Sequence, residues 1–144
     1  MLMSYQSRLL AGGTAVLHIG SGEVHGADVL QSARTVQRLA RTRRITHIAV
    51  DFTGVTLLNA SVTQLREIAT ANLGTARRSP SGKLAIAAPQ DHVYGLVRMW
   101  SVFVDGVDWQ IHISRELEPA REWLGISLDP GGATPFEALP ESED

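Results

Sequence analysis

The sequence predicts an α/β protein built on a mixed sheet, and three observations carry that prediction. Short apolar runs of strand length, such as 45–52 and 84–88, alternate along the chain with stretches of helical periodicity. A Gly-Gly pair between two alternating runs near the N-terminus marks a hairpin. Helical stripes then separate the later strands, as crossovers between parallel strands require. The expected order is β-β-α-β-α-β-α-β-α, with the helices packed against the sheet.

The hairpin joins residues 4–10 and 14–19 through Ala11-Gly12-Gly13, because glycine reaches the positive φ angles of a tight turn. In its second strand Ala15, Leu17 and Ile19 face one side, and Val16 and His18 the other. Residues 20–26 read as a loop. A helix over 27–41 follows, with Val29, Leu30, Ala33, Val36, Leu39 and Ala40 on one stripe and Arg34, Arg38 and Arg41 on a neighbouring, solvated face.

The central stretch, 45–65, reads as a buried strand to Phe52, a turn at Thr53-Gly54, an apolar link and a helix start. Ser61-Val62-Thr63-Gln64 fits the capping box, in which two side chains satisfy two otherwise unpaired backbone N–H groups. The helix it opens runs to about residue 76, and a polar turn over 77–82 ends before the strand at 84–88. Asp91 is placed to cap the next helix, whose apolar residues Val93, Leu96, Val97, Trp100, Phe103 and Val104 cover more than one face. Trp109, Ile111 and Ile113 alternate with polar residues as a half-exposed edge strand does. The last helix starts near Glu116, accepts Pro119 in its first turn and stops at Gly125. One domain therefore spans 1–126, and the acidic, Pro/Gly-rich stretch 127–144 is expected to be disordered.

Composition narrows the function classes. The chain has no cysteine, so disulfides, thiolate metal sites and cysteine nucleophiles are excluded. Its net charge of −2 hides a split: residues 127–144 hold five acids and no base, leaving thirteen bases against ten acids, or +3, for the rest. That surplus is too small and too scattered to predict a nucleic-acid partner. The first ten residues lack the apolar core of a signal peptide, and no apolar run reaches the ~20 residues of a membrane helix, so a cytoplasmic protein is expected. The five histidines show no ligand-like spacing, and neither a Walker loop nor a dinucleotide fingerprint occurs, so no metal and no cofactor is expected. Ser61, His92 and Asp51 or Asp91 are the residues from which a hydrolase would be assembled. Ala60-Ser61-Val62, however, is no Gly-x-Ser-x-Gly elbow, and no catalytic residue is expected.

VDFTGVTLLNASVTQL resembles the strand–loop–helix signature of the STAS superfamily, the domain of anti-sigma-factor antagonists. KLAIAAPQDHVYGLVRMWSVFV and ELEPAREWLGI resemble its small bacterial SpoIIAA-like branch. The resemblance spans residues 4–126 and implies a SpoIIAA-like fold and a regulatory, non-enzymatic protein. Its partner would be another protein, such as a kinase-type anti-sigma factor. In such antagonists a serine at the helix start, within Asp-Ser-Ser-Gly, is phosphorylated by the partner. Here the matching residues are Asn59-Ala60-Ser61-Val62, so alanine replaces that serine and only the second one, Ser61, is kept. The resemblance therefore implies a degenerate antagonist.

Two sets of candidate residues follow. Thr53, Asn59, Ser61 and Thr63 form the candidate partner loop, with Ser61 or Thr63 as phosphoacceptor, since a helix N-terminus favours a phosphate dianion. Val93, Val97, Trp100, Phe103 and Val104 form a candidate interface helix. In the alternative reading, a small-ligand carrier or sensor, they wall a pocket for an apolar or anionic ligand between sheet and helix. Monomer and homodimer are both open at this stage.

Overall fold

The computed structural model describes residues 4–129 and 131–140. β1 (Tyr5–Leu9) and β2 (Ala15–His25) pair antiparallel across the expected hairpin, where Gly12 and Gly13 take φ of 94° and 74°. α1 (Gly26–Leu39), β3 (His47–Asn59), α2 (Val62–Arg78), β4 (Lys83–Ala87), α3 (Asp91–Phe103), β5 (Gln110–Ser114) and α4 (Leu117–Leu124) follow in the predicted order. β2, β3, β4 and β5 are parallel neighbours, and with β6 (Thr134–Pro135) the mixed sheet of the described residues has six strands in the order β5-β4-β3-β2-β1-β6.

Strand alternation sorts the core into two layers. Val16, Ile48, Leu84 and Ile86 point to the side covered by α1, α2 and α3. Ala15, Leu17, Ala49, Ala85 and Ala87 point to the other side, where α4 brings Ala120 and Leu124. Alanine on β3 and β4 lets α4 lie close, and it does so at the modest length of eight residues.

Three expectations are corrected. Residues 20–25 are not a loop and 53–59 are not a turn and link: β2 and β3 continue side by side, pairing Ser21 with Gly54 and His25 with Asn59. Asp91 does not cap α3. Gln90 is the N-cap and makes no side-chain bond, while the Asp91 carboxylate is taken by Arg115. The stretch expected to be disordered contains β6 (Thr134–Pro135), which pairs antiparallel with β1, and a 3-10 turn over Phe136–Ala138. Buried Leu128 and part-buried Phe136 and Leu139 supply apolar contacts that the acidic composition of the stretch conceals. Its last residues, 141–144, lie outside the described ones.

Candidate functional site

β4 ends at Ala87, opposite Asp51, so residues 52–59 of β3 outrun it and pair only with β2. This two-stranded parallel ribbon carries the candidate partner loop. Along it the register slips twice, between Ile19 and Ser21 and again between Gly22 and Glu23. Each slip places one extra residue in β3, which is a β-bulge. Burial consequently recurs every third residue, at Phe52, Val55 and Leu58, instead of every second. Without the second bulge Leu57 would follow Val55 inward. With it, Leu57 turns outward and is 41% exposed.

Local contacts hold this geometry. Asp51 Oδ1 accepts from the Thr53 N–H at 2.9 Å and from its hydroxyl at 2.6 Å, folding the carboxylate over the first bulge. Gly20 makes room on the facing strand, since a Cβ there would lie 2.7 Å from Val55 Cγ2. At the ribbon's far end, His92 Nε2 sits 3.2 Å from the Leu58 nitrogen and 3.1 Å from its carbonyl oxygen. The α3 histidine thus occupies part of the strand edge that β4 leaves free.

α2 starts beside the ribbon with the full capping box. The Gln64 N–H donates to Ser61 Oγ at 3.1 Å, and the Ser61 N–H donates to Gln64 Oε1 at 3.0 Å. Thr53, Asn59, Ser61 and Thr63 are all exposed, but Thr53 sits at the first bulge, where the ribbon begins, while Asn59 ends the ribbon and Ser61 and Thr63 open α2. The structure adds two that sequence reasoning missed: Leu57 and, 47% exposed, Val62. In sequence they stand on either side of Asn59, Ala60 and Ser61. The signal was present in the three-residue spacing of Phe52, Val55 and Leu58, which fits neither a regular strand nor a turn.

The candidate interface helix divides differently. Val93, Val97, Trp100 and Val104 are core residues. Phe103 is half-buried, with the Arg66 guanidinium 4.7 Å above its ring. The apolar residues that α3 offers to solvent are instead Met99 and Val102. Val97 and Trp100 line a partly open pocket of about 70 Å³ between the sheet and α1, α2 and α3. The Trp100 indole N–H donates to Asn72 Oδ1 at 2.9 Å, so its polar edge is satisfied.

The groups from which a hydrolase would be assembled are engaged separately: Asp51 with Thr53, His92 with Leu58, Asp91 with Arg115 and Ser61 with Gln64. A different serine and histidine do meet. Ser7 Oγ lies 2.6 Å from His18 Nδ1, both side chains are buried, and burial lowers the His18 pKa to about 4. On the outer face of α1, Arg34 pairs with Glu67 of α2 at 3.5 Å, a solvated bridge between helices. Among the described residues no helix is long and apolar enough to cross a membrane. In comparison with known proteins, no family model matches the chain and no curated protein matches it.

Proposed function

We propose that this chain is a non-enzymatic interaction module, a degenerate relative of the antagonist proteins it resembles. It binds a regulatory protein partner through the end of the β2–β3 ribbon and the start of α2. The observation that carries the reading is the outward turn of Leu57. A bulge costs ladder pairing and here presents a leucine to solvent at the end of the sheet, and the first residue of α2, Val62, is exposed as well. Burying the exposed fractions of these two side chains against a partner is worth about 1–3 kcal/mol, or roughly ten- to a hundredfold in affinity. Asn59, Ser61 and Thr63 supply polar groups near them in sequence.

Ser61 and Thr63 in this reading are contact residues that a partner kinase can modify. Phosphate there would meet the free N–H groups of α2 while placing charge beside the apolar Val62, and so weaken binding. Site-specific photo-crosslinking in the cell of origin tests the proposal. A photoreactive residue at position 57 is expected to trap a discrete protein adduct, whereas one at Val102, which is more exposed but lies on α3, is not. Equal trapping at both positions, or none at 57, overturns it.

A further inference from the structure

The two edges of the sheet are finished differently. β1 is covered by β6, a strand of two residues that ends in Pro135 and offers little for another strand to pair with. β5 closes the other edge, and among the described residues no strand lies outside it. Its five residues, Gln110 to Ser114, include no charge, no proline and no bulge, the devices that keep an edge from pairing. The charges that flank it are engaged within the chain, Asp108 by the Ser81 N–H at 2.9 Å and Arg115 by Asp91.

Register decides what this edge can accept. The Gln110 N–H donates to Gly82 O at 2.9 Å, and Ser114 O accepts from the Ala88 N–H at 2.8 Å. Residues 110, 112 and 114 therefore turn their backbone groups to β4, and Ile111 and Ile113 turn theirs outward. The side chains of Ile111 and Ile113 pack against the main core, and those of Gln110, His112 and Ser114 share the opposite face. There His112 stacks on Trp123 of α4 with centroids 5.1 Å apart, while its buried Nε2 has no hydrogen-bond partner among the described residues. The strand is also its own complement: in either direction it reads polar, isoleucine, histidine, isoleucine, polar.

We propose that β5 pairs antiparallel with β5 of a second copy of this chain, about a two-fold axis at His112. Ile111 of each copy then stands opposite Ile113 of the other, and each such pair exchanges both backbone hydrogen bonds. Together these bonds take up every outward N–H and C=O of the two strands. His112 meets the same residue of the other copy as a non-hydrogen-bonded pair, with Cα atoms about 4.5 Å apart, and Gln110 faces Ser114. A slip of one residue would set outward-facing backbone against inward-facing and forfeit the pairing. The contact lies two strands from β3 and is independent of partner binding at Leu57.

The chain has no cysteine, so introduced thiols read the register directly. His112→Cys strands no hydrogen-bond partner of Nε2, and on oxidation with diamide it should give a disulfide-linked dimer, since the facing Cα atoms lie within disulfide reach. Gln110→Cys and Ser114→Cys should each remain unlinked, because each residue lies about 14 Å from its own counterpart, yet the two should link when mixed. Sedimentation equilibrium of the wild type should show a monomer–dimer equilibrium that shifts with concentration, as suits a contact of one short strand. Ile113→Pro removes an outward N–H that the single copy leaves unused. It should weaken association about tenfold or more with circular dichroism unchanged. If that variant fails to fold, the cysteine series decides. A wild type that stays monomeric up to about 1 mM overturns the proposal. So does linking of Gln110→Cys or Ser114→Cys alone as fast as His112→Cys, or undiminished association in a folded Ile113→Pro.

Discussion

Replacing Gly26 with alanine would place a methyl carbon 2.5 Å from Gln64 Oε1 and 2.9 Å from Ala60 Cβ. Gly26 is the first residue of α1 and does not lie in the left-handed region, so backbone preference alone favours alanine there by about 0.4–1 kcal/mol. Packing opposes it. The Gln64 side chain must swing away and give up its bond from the Ser61 N–H, at a cost of about 0.5–1.5 kcal/mol. The Ala60 methyl has no rotamer with which to escape, and overpacking of that kind costs about 1–3 kcal/mol. The net expectation is a loss of about 1–3 kcal/mol, measurable as a lower urea midpoint at constant m. Gln64→Ala removes the same hydrogen bond and also empties the space the new methyl needs. Gly26→Ala should therefore cost about 1 kcal/mol less in the Gln64→Ala background than in the wild type. Additivity to within about 0.3 kcal/mol, or a Gly26→Ala variant more stable than wild type, refutes the reasoning. The cycle bears on the site because Gln64 is both the back-bonding half of the capping box and a side chain of α2 that packs over the first residue of α1.

Three further outcomes follow. His18 has a folded pKa below its unfolded value, so the unfolded chain binds more protons between pH 6.5 and about 4 and stability falls as pH drops through that window. Between pH 7 and 5 the loss from this residue is about 2 kcal/mol, and urea titrations of His18→Gln should show a correspondingly flatter dependence. Gly82→Ala would set a Cβ 2.3 Å from the buried Trp109 ring, whose N–H donates to Ser79 O at 2.6 Å. A loss above about 3 kcal/mol with a red-shifted tryptophan emission is expected, and a loss below about 1 kcal/mol would contradict the packing. Asn72→Ala strands the Trp100 indole N–H and should cost about 1–3 kcal/mol, more than its exposed neighbour Thr70→Ala in the same thermal melt.

Most of the scaffold was legible in the sequence because its signals are local. Gly12-Gly13 bends the hairpin, Ser61 and Gln64 form their box, and Gly125 ends α4 at φ 71°. The alternation of Ala15, Leu17 and Ile19 against Val16 and His18 correctly divides β2 between the two layers. What the sequence concealed depends on partners distant along the chain. The β2–β3 ribbon reads as two loops, since its glycines and its three-residue spacing contradict a regular strand until the two segments are seen to pair. β6 exists only because β1 offers an edge and the His18 ring offers Phe136 a face. Asp91 stands where a cap would, but Arg115 competes for its carboxylate. In the candidate site the polar residues were found by motif, while Leu57 was missed because its exposure is a property of register.

The central claim is that Leu57 and Val62 are contact residues rather than incidental surface. It is tested most directly by native mass spectrometry of the tagged chain isolated gently from its own cells, compared with Leu57→Asp/Val62→Asp and with Val102→Asp. The account predicts a discrete protein partner on the wild type and on Val102→Asp, reduced at least tenfold on the double variant, with all three chains equally folded by circular dichroism. A partner retained undiminished by the double variant, or no partner on the wild type, contradicts it.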